Sequence, residues 1–120
     1  MSSVKIITNN PMVLAAYPHA TFCESSTQGI LLMCRDAIHQ GAVLVNHPLS
    51  GSIQPHILPY RSLALTIGKS GTHFKSLQYI EAALRVTPAA DLMLSFSAEV
   101  LTDFQVIDLD LFNAAMMAAY

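Results

Sequence analysis

Ala42-Val43-Leu44-Val45-Asn46-His47-Pro48-Leu49-Ser50-Gly51-Ser52 is the stretch from which the fold is read. Its first four residues form a short apolar strand, and the rest open an irregular segment in which Pro48, Gly51, Pro55 and Pro59 block regular structure as far as Arg61. Loops of this length inside compact domains usually carry function. Leu49, Ile53, Ile57, Leu58 and Tyr60 supply apolar anchors, so the loop is expected to be ordered.

Upstream, Val4-Lys5-Ile6-Ile7-Thr8 reads as a first strand, too apolar to have one solvated face. Asn9 or Asn10 caps a short helix that begins at Pro11 and runs over Met12 to Tyr17, where Pro18 closes it. Ala20 to Glu24 is a second strand. Ser25-Ser26 then cap an amphipathic helix carrying Ile30, Cys34, Ala37 and Ile38 on one face, and Gly41 stops it. Downstream, Leu63-Ala64-Leu65-Thr66-Ile67 is the fourth strand. A helix capped by Thr72 follows, with Phe74, Leu77, Ile80 and Leu84 as its buried stripe and Glu81 and Arg85 as an i,i+4 pair. Residues 88–104 show a blurred helical pattern, and Asp108 with Asp110 marks the start of a last helix, because carboxylates favour a helix's positive end.

Strands alternating with helices predict an α/β fold with right-handed crossovers. The expectation is one domain over residues 1–120, a mainly parallel four-stranded sheet in the order 2-1-3-4, flanked by helices. That order sets the carboxyl ends of strands 1 and 3 side by side, where ligands of such folds bind.

Composition narrows the function classes. Of 120 residues, 52% are hydrophobic and only 12% charged, half the charged share of an average soluble domain. The apolar excess predicts a subunit interface, and hence a homodimer. Six basic and eight acidic residues are scattered with no Lys/Arg run, which disfavours nucleic acid as a partner. No apolar run is long enough to span a membrane, and no signal-peptide layout opens the chain, so a cytoplasmic protein is expected. Cys23 and Cys34 lack CxxC spacing and are expected to be buried, reduced thiols. The histidines at 19, 39, 47, 56 and 73 show no HxH or HxxxH spacing, so no metal site is expected. Neither GxGxxG nor GxxxxGK[ST] occurs, and no cofactor is expected.

The candidate ligand-binding residues are Thr8, Asn9 and Asn10 after strand 1, His47, Ser50, Gly51 and Ser52 after strand 3, and Tyr60 and Arg61 at the far end of the loop. A glycine between serines offers N–H groups and hydroxyls to a small anion, and Arg61 can add a bidentate charge. His47 is the one candidate catalytic residue, since imidazole titrates in the physiological range. A serine-hydrolase role is disfavoured, because Gly-x-Ser-x-Gly is absent.

Four stretches resemble one known family. Ile6-Ile7-Thr8-Asn9-Asn10-Pro11, His47-Pro48-Leu49-Ser50-Gly51-Ser52, Pro59-Tyr60-Arg61-Ser62 and Asp103-Phe104-Gln105-Val106-Ile107-Asp108-Leu109-Asp110 are similar to the GrdX proteins, small chains often encoded beside glycine, sarcosine or betaine reductase systems. The resemblance implies a cytoplasmic accessory protein whose partners are amino-acid reductase components; it brings no catalytic residues with it. The alanine- and methionine-rich carboxyl end departs from the family pattern.

Two readings follow. One is an accessory module that recognises a small anionic metabolite or a partner protein through the Asn9-Asn10 turn and the His47 to Arg61 loop. The other is a small enzyme in which His47 transfers a proton on a carboxylate or phosphate substrate. A carboxylate orienting one ring nitrogen of His47 is the feature that separates them.

Overall fold

The computed structural model describes residues 4–49, 58–67, 71–90 and 92–119. Four strands, β1 (Val4–Thr8), β2 (Thr21–Phe22), β3 (Ala42–Leu44) and β4 (Ser62–Ile67), form one sheet. The helices are α1 (Pro11–Ala16), α2 (Thr27–His39), α3 (Phe74–Val86) and α4 (Ala98–Ala119), with a 3-10 turn at Leu92–Ser95. The sheet order is β2-β1-β4-β3. Only β1 and β2 pair in parallel; β4 lies antiparallel to both β1 and β3.

The expected mainly parallel sheet in the order 2-1-3-4 is therefore corrected to a mixed, mostly antiparallel one. The reason lies in β4. Ser62, Leu63, Ala64 and Leu65 are all buried, so both faces of this strand are covered and it belongs inside the sheet, between β1 and β3. No helix separates β3 from β4 among the described residues, so the chain returns beside β3 in the antiparallel sense that needs no crossover.

Successive side chains of a strand point to opposite faces, and β4 uses both. Leu63 and Leu65 join Ile7, and against them pack Ile30, Leu31, Cys34 and Ile38 of α2 with Ile80 and Ala83 of α3. Ala64 faces the other way, toward Val13 of α1 and Phe112 of α4, with Val4, Ile6 and Val45 around them.

Several boundaries follow the sequence closely. Asn10 caps α1 by accepting from Met12 N, with Pro11 at the first helical position. Ser26 caps α2 by accepting from Gly29 N, and Gly41 follows that helix with φ +105°, open to glycine alone without strain. Other expectations change. The cap of α3 is His73, not Thr72, and Phe74 is 76% exposed and so outside the buried stripe. Glu81 pairs across helices with Arg35 at 3.2 Å instead of with Arg85. β2 is two residues long, and Cys23 beyond it is half-buried while Cys34 is fully enclosed; both are free thiols. Finally, α4 begins at Ala98, with Ser97 Oγ accepting from Val100 N, so Asp108 lies in mid-helix and not at a helix start.

Candidate functional site

Because β4 runs against β1 and β3, its amino end at Arg61 and Ser62 sits between their two carboxyl ends. Polar residues of all three strand ends meet there. Two asparagines bind this end together by standing in for backbone. Asn9 donates from Nδ2 to the carbonyls of Ser25 and Pro59, both at 2.9 Å, and accepts from Arg61 N at 2.8 Å. Asn46, one residue beyond Val45, donates to Ser62 O at 3.1 Å and accepts from Ala64 N at 2.8 Å, extending the β3–β4 ladder with a side chain.

Beneath them lies Asp108, brought in by α4. Its Oδ2 accepts from Ser62 Oγ at 2.7 Å and from Asn10 Nδ2 at 3.0 Å. Ser62 spends its proton on the carboxylate, so in the 2.6 Å contact between Thr8 and Ser62 it is Thr8 Oγ1 that donates. Thr8 in turn accepts from Asn10 N at 3.0 Å. The donors thus form a closed circuit, from Asn10 N through two hydroxyls to Asp108, which the Asn10 side chain also reaches. Chains of this kind strengthen each member through polarisation.

Burial pushes the Asp108 carboxyl above its ordinary range, and the bonds from Asn10 and Ser62 and the charge of Arg61 offset this only in part. Arg61, also buried, is pulled down from its usual value by the same loss of solvent, opposed by Asp108. An arginine so placed remains cationic at physiological pH. The small anion that the sequence leads one to expect among Thr8, Asn10 and Arg61 has a counterpart inside the chain, the carboxylate of Asp108.

The structure brings Thr8, Asn9, Asn10, Tyr60 and Arg61 together, all of them buried. Tyr60 OH accepts from Gln105 Nε2 at 2.9 Å, a second tie to α4. Ser50, Gly51 and Ser52 lie outside the described residues. His47 is exposed, with its ring 4.6 Å from that of Tyr79, and shares the lining of one cavity with Tyr60, Arg61, Ser62 and Asp108. Its Nδ1 accepts from Leu49 N at 3.1 Å, and no carboxylate bonds to it among the described residues. That cavity, of about 30 Å³ and room for a water or two, is closed on the helix side by Phe104, Ile107 and Leu111 of α4.

Asp108, Ser62, Asn46 and Gln105 were not among the sequence candidates. A signal for Asp108 exists: it lies seven residues after Leu101 and four before Phe112, a charge set into the inward face of α4. Asn46 and Gln105 gave none, because short amides next to strand ends and on helices are ordinary. Among the described residues no group of three His, Cys, Asp or Glu could hold a metal ion. No described helix is long and apolar enough to cross a membrane.

The fold and this end of it define a small mixed α/β domain whose strand termini are locked around a carboxylate of its own carboxyl-terminal helix. A model of the GrdX-like protein family matches residues 5–117, nearly the whole chain, and the protein belongs to that family. Neither the curated proteins nor the solved structures gave a match.

Proposed function

We propose that this protein is an accessory factor of the glycine, sarcosine or betaine reductase systems beside which GrdX proteins are often encoded, and that it acts by docking a partner protein. The observation that carries this reading is the outward side of α4. Of its 22 residues only Phe112 is buried. Val100, Ile107 and Ala114, spaced by seven, form an exposed apolar stripe, which borders the cavity beneath His47 at Ile107 and Leu111. Beside the stripe runs a row of exposed acids, Glu99, Asp103 and Asp110, and the helix contains no Lys or Arg. Such a face suits an amphipathic helix whose apolar stripe is bordered by basic residues. The Asn10 side chain already serves Asp108, and that of Asn9 the backbone of Ser25, Pro59 and Arg61, which favours recognition on the outer surface over recognition at that turn.

Proton transfer by His47 finds little support in its surroundings, since a backbone N–H, not a carboxylate, engages Nδ1. Self-association would use the same α4 face, but antiparallel pairing of two copies sets the acidic rows against each other.

The test is binding of the purified protein to separate reductase components by calorimetry. Asp103→Lys with Asp110→Lys should weaken the complex by about tenfold or more, and raised salt should weaken the wild-type complex as well. Unchanged affinity in the double variant, or no component that binds, overturns the reading. Native mass spectrometry of the same variant identifies the other use of the face: a dimer that it abolishes would assign α4 to self-association.

A further inference from the structure

On the opposite side of His47 from the α4 cavity is a second, larger hollow of about 250 Å³, between the end of β3 and the start of α3. Val45, His47, His73, Lys75, Ser76 and Tyr79 line it, with Leu44 and Asn46, and among the described residues no carboxylate does. Two features of its chemistry are independent of one another. The first is the state of the two histidines. His47 Nδ1 accepts from Leu49 N at 3.1 Å, and His73 Nδ1 accepts from Ser76 N at 3.2 Å. A ring nitrogen that accepts a backbone N–H carries no proton, so each neutral ring holds its proton on Nε2. Ser76 Oγ completes the arrangement, lying 2.7 Å from His73 Nδ1 while accepting from Leu44 N at 3.0 Å. Both imidazoles are thereby held with Nε2–H as a donor not used by either bond.

The second feature is the row of groups between the rings. Lys75 Nζ lies 6.0 Å from the centre of the Tyr79 ring, and His47 tilts against the same ring. An ammonium, a phenol and two imidazoles therefore share one hollow with apolar Leu44 and Val45, and among the described residues nothing of opposite charge lines it. We infer that this hollow is a binding site for a small oxyanion, a carboxylate or a phosphate, held by His47, His73 and Lys75. The site stands apart from the α4 face and does not rest on partner docking.

The probe is inorganic phosphate, titrated at fixed pH and ionic strength into the full chain while the imidazole signals are followed by NMR. His47 and His73 should shift together on one saturable curve, while the exposed His19 and His39 stay still. Lys75→Ala, an exposed position that leaves the fold intact, should raise the apparent Kd by about tenfold or more. Lys5→Ala should not change it. A parallel titration with acetate sorts the two oxyanions: saturation by acetate alone assigns the site to carboxylates, and by phosphate alone to phosphates. Shifts that never saturate with either anion, that appear equally at all histidines, or that persist unchanged in Lys75→Ala overturn the inference.

Discussion

Replacing Asp108 in two ways separates what its charge contributes from what its shape contributes. Alanine removes the acceptor for Ser62 Oγ and Asn10 Nδ2 and the negative charge beside buried Arg61. Each hydrogen bond to a charged group is worth about 1.5–3 kcal/mol. The charge is lost in either variant, and burial already disfavours it. Alanine also leaves both donors without their acceptor, and because the two bonds share one oxygen they do not simply add, so about 4 kcal/mol is expected. For a chain of this length that lowers Tm by roughly 15 °C. Asparagine behaves differently. Its amide oxygen can take the place of Oδ2 and keep both donors, and burial already raises the Asp108 pKa, so the fold favours a neutral group there. The expected cost of Asp108→Asn is below about 1.5 kcal/mol. Equilibrium urea unfolding, followed by far-UV circular dichroism, gives both values. Equal losses in the two variants, or an alanine cost under about 1 kcal/mol, would refute the account of Asp108 as the centre of the donor circuit.

Two further outcomes follow from the titratable groups. The folded-state pKa of Asp108 is raised, so the folded state holds this proton more tightly than the unfolded chain does; its contribution is full in acid and is lost as pH rises through the raised value. The stability of wild type relative to Asp108→Asn should therefore increase as pH falls from neutral toward the carboxylate range, and an opposite slope in paired urea titrations would contradict this. Burial pushes the Cys34 thiol up to about 12, so at pH 8 a thiol reagent should label the native protein at half-buried Cys23 and reach Cys34 only after denaturation. Labelling of both cysteines at equal rates in the native state would show that α2 opens readily.

Most local elements were legible because their signals are local. Asn10-Pro11 and Ser26 announce helix starts, Gly41 a stop, and the β-branched run at 4–8 a strand. The sheet order was not, because the alternation of strands and helices carries no record of which neighbour a strand chooses. The clue was the unbroken burial of Ser62 to Leu65, which as sequence looks no more central than Val4 to Thr8. The meeting of Thr8, Asn9, Asn10, Tyr60 and Arg61 was readable from the rule that strand ends gather polar residues. Asp108 was misplaced by its own chemistry: a carboxylate near a helix start and a carboxylate turned inward in mid-helix look alike until the neighbours of that face are known.

The central place of β4 also fixes when this chain can fold. β1 gains its antiparallel partner only from residues 62–66, and the donor at Asn10 finds its acceptor 98 residues later. Contacts so distant in sequence demand loop closure before they repay it, so folding is expected to be slow beside that of helical bundles of equal length. During synthesis the first strand must wait, its edge open, until residues 62–66 have emerged, and the turn after it must wait for the final helix. A ribosome-bound chain ending short of residue 98 would thus hold the first three helices and all four strands, but none of the tie between its first turn and its last helix.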